Sequence, residues 1–258
     1  MPEVTKHEPG SFSWVELATP DPGAAKRFYT SLFDWSFVDT PTGPDQVYTR
    51  LQLRGKDVGA LMEQPKEQRA QGVPPNWGSY VTVESADKSA ARAKELGGKV
   101  LLDPFDVFEY GRMAVIQDPQ GAVFSIWEPR QHIGVQVHDE PQSLCWNELY
   151  TRDTEGSAKF YTGLFGWRAK TDPGGYTEWQ VGERATGGMI AIDPQWGPVP
   201  PHWLPYFAVT DCDATVRRTT DLGGRTMMPA RDIPNVGRFA ILMDPQGAAF
   251  AIIKLERS

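Results

Sequence analysis

The sequence predicts an α+β fold made of two tandem copies of one unit, each copy holding two β-α-β-β-β modules. Three observations predict it: the chain repeats itself, its helices are short and the second of each copy ends at a glycine pair, and its other apolar segments have strand length and alternation. Trp14-Val-Glu16-Leu17 recurs as Trp146-Asn-Glu148-Leu149, 132 residues on. Arg27-Phe28-Tyr29-Thr30-Ser-Leu32-Phe33-Asp-Trp35 recurs at the same offset as Lys159-Phe160-Tyr161-Thr162-Gly-Leu164-Phe165-Gly-Trp167. Further along the offset falls to 126: Pro74-Pro75-Asn76-Trp77 matches Pro200-Pro201-His202-Trp203, and Asp118-Pro119-Gln120-Gly121-Ala122 is identical to 244–248. The first copy therefore carries the longer middle loop. The copies span 11–128 and 143–255, joined by a polar linker, 129–142.

Within a copy the elements come in a definite order. Ser13 to Thr19 alternates as a strand. Pro22 to Phe33 places Ala25, Phe28, Tyr29 and Leu32 at helical spacing behind Asp21, a residue type that caps helix N-termini. Val47 to Leu53 and Val58 to Met62 flank the turn at 54–57 as a hairpin; room remains for one more strand. The order then restarts: Tyr80 to Val83 as strand, Ala86 to Leu96 as helix, and three strands at Lys99 to Leu102, Gly111 to Gln117 and Ala122 to Trp127. Gly97-Gly98 and Gly223-Gly224 follow helices and supply left-handed caps. They are not phosphate loops, which open helices. Asp118-Pro-Gln-Gly121 and its copy read as tight turns between strands.

Composition narrows the function. With 26 Lys plus Arg against 33 Asp plus Glu, the 258-residue chain has a formal charge of −7, which argues against binding a phosphate backbone. No segment approaches the roughly 18 consecutive apolar residues of a membrane helix, and no basic start precedes an apolar run. Two cysteines, Cys145 and Cys212, build neither a disulfide framework nor a metal-spaced cluster, so a cytoplasmic protein is expected. The 9 Trp, 12 Phe and 8 Tyr are aromatic surface for packing or for a ligand.

The strand-Asp-x3-Ala-x2-Phe-Tyr-x2-Leu-Phe-x-Trp opening, the helix ending in Leu-Gly-Gly, and the Gly-Arg strand leading to Asp-Pro-Gln-Gly together resemble the vicinal oxygen chelate superfamily of glyoxalase I, bleomycin-resistance proteins and extradiol dioxygenases. The resemblance covers nearly all of 11–255, twice, and is nearest to tandem glyoxalase-like proteins. It implies that each pair of modules forms an eight-stranded, incompletely closed cup around a small-molecule site. It also implies a divalent metal held by His and Glu from three strand positions. Counting from the shared motifs, those positions hold Trp14 and Trp146, Gly78 and Leu204, and Ser125 and Ala251. None is a good ligand, where a competent site needs about three His, Asp, Glu or Cys donors. No metal and no other cofactor is therefore expected; neither a flavin nor a nicotinamide fingerprint is present.

Side chains alternate faces along a strand, so Glu16 shares a face with Trp14, and Glu148 with Trp146 and Tyr150. If the tryptophans line the cups, the carboxylates sit among them, where burial raises a carboxyl pKa and suits it to acid or base work. A structural role, hydrogen-bonding backbone or an arginine such as Arg112 or Arg238, explains their recurrence equally well. His202, beside Trp203, and His132, in the linker, are the two histidines placed to act as bases. Trp77 and Trp203, each after a proline pair, are expected to wall the mouths of the cups; Trp35 and Trp167 are expected in the core. Two functions stay open: a metal-independent protein that binds or sequesters a small hydrophobic or aromatic molecule, and a lyase, isomerase or glyoxalase-type enzyme with Glu16, Glu148 or His202 moving the proton. In either case the partner is a small molecule and the chain a monomer or homodimer, since two joined copies mimic a dimer of single-copy relatives.

Overall fold

The computed structural model describes residues 3–44 and 46–256. The first half runs β1 (Phe12–Thr19), α1 (Pro22–Phe33), β2 (Ser36–Gly43), β3 (Gln46–Leu53), β4 (Lys56–Glu63), a short α2 (Lys66–Ala70), β5 (Asn76–Thr82), α3 (Ala86–Glu95), β6 (Lys99–Val107), β7 (Gly111–Gln117) and β8 (Val123–Pro129). The second repeats it: β9 (Leu144–Thr151), α4 (Thr154–Phe165), β10 (Arg168–Thr171), β11 (Thr177–Val181), β12 (Arg184–Ala191), a 3-10 turn at Pro194–Trp196, β13 (His202–Ala208), α5 (Cys212–Asp221), β14 (Arg225–Ile233), β15 (Gly237–Met243) and β16 (Ala249–Leu255). Among the described residues no helix is long and apolar enough to cross a membrane.

Each half folds into one eight-stranded open sheet, in the orders β2-β3-β4-β1-β5-β8-β7-β6 and β10-β11-β12-β9-β13-β16-β15-β14. The first strands of the two modules, β1 and β5, pair antiparallel at the centre, with the parallel pairs β1–β4 and β5–β8 outside them. Two features exceed the sequence reading. The unplaced third strand is β2, and β6 continues past Leu102 to Val107. Both contain a proline (Pro41, Pro104) and both are edge strands, the one place in a sheet where the missing N–H costs little.

The helices form where capping and amphipathicity agree. Asp21, Ser85, Asp153 and Asp211 each accept a hydrogen bond from the backbone N–H three residues on, satisfying a donor that the first helical turn leaves unpaired. The helices cover the convex faces of the sheets, opposite the cups, and the two halves share cores. Val15 and Leu17 of β1 with Phe28, Tyr29 and Phe33 of α1 pack against Phe207, Leu242, Phe250 and Ile252 of the second half. The mirror cluster joins Phe124 and Ile126 to Phe160, Tyr161 and Trp167. Tyr29 donates to Asp244 Oδ2 (3.1 Å) and Tyr161 to Asp118 Oδ2 (3.0 Å), so each DPQG turn is tied to a helix of the other half. The other Asp118 oxygen accepts from the N–H groups of Gln120, Gly121 and Ala122, which closes the turn. The cups therefore lie back to back, concave faces outward.

Candidate functional site in the first cup

Strand parity decides what enters the cup. The odd positions of β1 face the helices, and Trp14 and Glu16 face inward. In the β1–β5 register Trp14 lies opposite Tyr80 and Glu16 opposite Gly78; in β5–β8 Tyr80 lies opposite Ser125. The resulting cavity has a volume of about 500 Å³, within the range of small-molecule sites. Trp14, Tyr48, Tyr80, Phe105, Met113 and Trp127 give it apolar walls; Glu16, Arg50 and His132 are its inner charge-bearing groups, with Glu109 at the rim.

Glu16 is half-buried at the waist of this cup. Tyr80 donates to its Oε1 (3.0 Å), Tyr48 also hydrogen-bonds it, and Trp14 Nε1 donates to the Tyr48 hydroxyl (3.2 Å). Burial pushes the Glu16 carboxyl above its usual range, against the pull of the two tyrosines. Burial and the neighbouring carboxylate push both phenols well above theirs. The tyrosines are thus permanent donors, and of these three groups Glu16 is the one able to exchange a proton.

One wall comes from the linker. The Val135 N–H donates to Ser13 O (2.7 Å) and the Gln136 N–H to Asp57 O (2.8 Å), laying the linker across the starts of β1 and β4. This holds the His132 ring edge-on to Trp14, with centroids 4.7 Å apart. Behind it Asp57 accepts from Arg50 Nη1 (2.8 Å) and Gln52 Nε2 (2.8 Å). Burial would raise the Asp57 carboxyl, but His132, Gln52 and Arg50 together hold it below the ordinary range.

The second cup repeats the scheme with bulkier residues. Tyr206 donates to Glu148 Oε1 (2.7 Å), Trp146 Nε1 donates to the Tyr176 hydroxyl (2.9 Å), and Tyr176 also bonds Glu148. Here Tyr150 stands where β1 has Ala18 and Leu204 where β5 has Gly78. Tyr150, Leu204, Tyr206, Phe239 and Ile253 form one buried cluster, and Glu148 is 7% exposed. His202 stacks on Tyr150 at 4.9 Å at the rim, its Nδ1 against Pro200 O, and burial lowers its pKa.

The structure brings Trp14 and Glu16 together in one cup, and Trp146, Glu148, Tyr150 and His202 in the other. It corrects the expectation for Trp77 and Trp203. On β5 Trp77 shares a face with Ser79 and Val81, not with Tyr80, so its ring enters the core between the halves and is 4% exposed. It donates to the Tyr29 hydroxyl (2.9 Å), and Trp203 to that of Tyr161 (2.8 Å). These rings brace the helices. A larger groove at Arg54, Asp139, Glu140, Arg238 and Lys254 is an open surface of mixed charge: Arg54 pairs with Glu140, and Arg238 with Asp213 and Asp232. Sequence reasoning missed Tyr48, Arg50, Asp57 and Tyr80. Tyr48 had a signal, since Tyr48-Thr49 recurs as Tyr176-Thr177, though at an offset of 128.

The superfamily's metal does not fit these residues. At the waist the first cup offers one carboxylate, Glu16, among Trp14, Gly78, Tyr80 and Ser125; the second offers Glu148 among Trp146, Leu204, Tyr206 and Ala251. Among the described residues no group of three or more His, Cys, Asp or Glu converges, and a single carboxylate ringed by phenols is too few donors.

The sequence matches the family model described as Glyoxalase/Bleomycin resistance protein/Dioxygenase superfamily over residues 11–126 and 131–252. The chain belongs to this superfamily. It is 38% identical over 259 residues to CFP32 of Mycobacterium tuberculosis, a protein named provisionally as a glyoxylase, with 98% of each chain covered. It is 36% identical over 266 residues to the anthracycline biosynthesis protein DnrV of Streptomyces peucetius, covering 98% of this chain and 96% of that one. Among solved structures, the Mn(II)-bound glyoxalase of Novosphingobium aromaticivorans superposes with a TM-score of 0.67 at 15% identity, covering 96% of this chain and 83% of that one. An extradiol ring-cleaving dioxygenase of B. fuscum gives 0.66 at 16%, covering 100% and 75%. At that identity these two share the fold.

Proposed function

We propose that this superfamily member is a metal-independent small-molecule-binding protein whose first cup takes a planar aromatic ligand. The observation that carries the reading is the cavity of about 500 Å³ walled by Trp14, Tyr48, Tyr80, Phe105 and Trp127 around a single half-buried carboxyl, Glu16. Flat aromatic walls reward a flat aromatic guest, and one buried polar group fixes its orientation. The likeness to DnrV, named for anthracycline biosynthesis, supports a polycyclic aromatic guest. The test is a titration of chelator-treated protein with 1,2-dimethoxyanthraquinone, followed by tryptophan fluorescence. Saturable quenching at one equivalent per chain is expected, weakened about tenfold by Trp14→Ala. Unchanged affinity in that variant, with a loss of stability of several kcal/mol as a buried Trp→Ala change causes, would make Trp14 core and refute the reading.

One observation favours a second reading, an isomerase or lyase: the raised proton affinity of Glu16. In that case Glu16→Gln keeps ligand affinity and abolishes turnover, whereas a binding protein shows no turnover to lose.

A further inference from the structure

We propose that His132, oriented by Asp57, is the proton acceptor of the first cup, and that the ligand it selects is a planar aromatic bearing an acidic ring hydroxyl, a phenol or hydroxyquinone, taken up as the phenolate. This deepens the preceding proposal and rests on it. His132 lies outside the inherited strands, on the linker, with its backbone anchored and its ring against two tryptophans. Its N–H donates to Tyr110 O (3.1 Å), its carbonyl accepts from Trp127 Nε1 (2.8 Å), and its ring stands edge-on to Trp14 and Trp127. Nε2 is buried and faces Asp57 Oδ2 at 3.5 Å.

The tautomer follows from that placement. Asp57 is held ionised by Arg50 and Gln52 and has no proton to offer, so the neutral imidazole keeps its one N–H at Nε2, toward the carboxylate. The lone pair is then on Nδ1. This nitrogen has no hydrogen-bond partner among the described residues, and the ring lines the cavity. A carboxylate behind one nitrogen and an open lone pair on the other are what a base needs.

The step balances without a co-reactant. The ligand's O–H bond breaks, its electron pair stays on oxygen, and an N–H bond forms at Nδ1. The imidazolium lies between the phenolate and Asp57, with the Arg50 guanidinium close by. The other charged or titratable groups around this ring are Glu16, Tyr48 and Tyr80 across the cup, Glu109 and Tyr110 at the rim and His7 of the N-terminal segment, whose own pKa is lowered by burial first and in small part by His132. The second cup lacks the device. In the parallel pairings Ala60 lies opposite Glu16 and Gly188 opposite Glu148, which sets Ala185 where Asp57 stands and Glu178 where Arg50 stands. The dyad and the open cavity occur in the same half.

The test uses the full chain and two dyes. 1,2-Dihydroxyanthraquinone changes its visible absorption on losing a proton, and 1,2-dimethoxyanthraquinone cannot ionise. Wild-type protein is expected to bind both and to lower the ionisation midpoint of the dihydroxy dye by about one to three pH units, the range an opposite charge within a few ångströms imposes. In His132→Asn the midpoint is expected to return to the free-dye value while the dimethoxy dye still binds, with any loss of affinity shared by both dyes. Asp57→Asn is expected to act in the same direction, but His132→Asn leaves the Arg50–Asp57–Gln52 cluster intact and decides the matter. A midpoint unmoved by wild type, or moved equally by wild type and His132→Asn, overturns the proposal while leaving the cup a binding site. Failure of wild type to bind either dye overturns the site reading, and this proposal with it.

Discussion

At the scale of single residues, the strongest commitments are buried polar groups held by aromatic partners. Glu16 has its pKa raised above the ordinary 4.5 by burial. Folding therefore favours its protonated form. Below the unfolded value both states are protonated and no stability is lost; as pH rises through the interval up to the folded value, the unfolded chain ionises first and stability falls. Glu16→Gln removes this loss, so in urea titrations the variant should gain on wild type as pH rises above 4.5. A difference that stays constant with pH would contradict a raised Glu16 carboxyl. Tyr29, which takes a bond from Trp77 and gives one to Asp244, sits at the junction of the two halves. Tyr29→Phe should cost about 1–3 kcal/mol, the penalty for leaving buried polar atoms unpaired; a smaller loss would mean the shared core tolerates them.

Elements decide which residues meet, and here the linker does more than connect. Gly134 has φ +113°, and a Cβ added there would collide with Ser13 O. Gly134→Ala should detach the linker from β1, lowering the melting temperature and weakening any ligand of the first cup through the displaced linker wall; full retention of both would show the linker to be a passive tether. The strands lost to sequence reading were lost for a physical reason. Pro41 and Pro104 broke the alternation of β2 and β6, and an edge tolerates proline because it lacks one neighbour. The central strands β1 and β9 are covered on both sides, keep their alternation, and so revealed the inward carboxylates Glu16 and Glu148. Trp77 and Trp203 were misplaced because the proline pairs before them mark where a strand begins, not which face its residues take. Asp57, with the Arg50 it binds, stayed hidden because its other partner, His132, is more than 70 residues away in a segment with no periodicity.

On the scale of the whole molecule, the two halves are interlocked cores, since α1 packs against β13 and β16 and α4 against the back of β8. A half ending at Gln142 would expose Phe28 and Phe33. It should unfold or self-associate when examined by size exclusion and circular dichroism, and a folded monomeric half would contradict the shared core. The repetition that makes the fold legible also separates its parts, for the same Trp-Tyr-Glu-Tyr network encloses a cavity in the first cup and is crowded by Tyr150 and Leu204 in the second. The central claim is that a planar aromatic ligand occupies the first cup without a metal. It is tested most directly by a crystal structure of chelator-treated protein grown with 1,2-dimethoxyanthraquinone. The ring system is expected against Trp14 and Tyr80, within hydrogen-bonding reach of Glu16. A dye lodged in the second cup or in the groove at Arg238, or a divalent ion coordinated by Glu16, would contradict it.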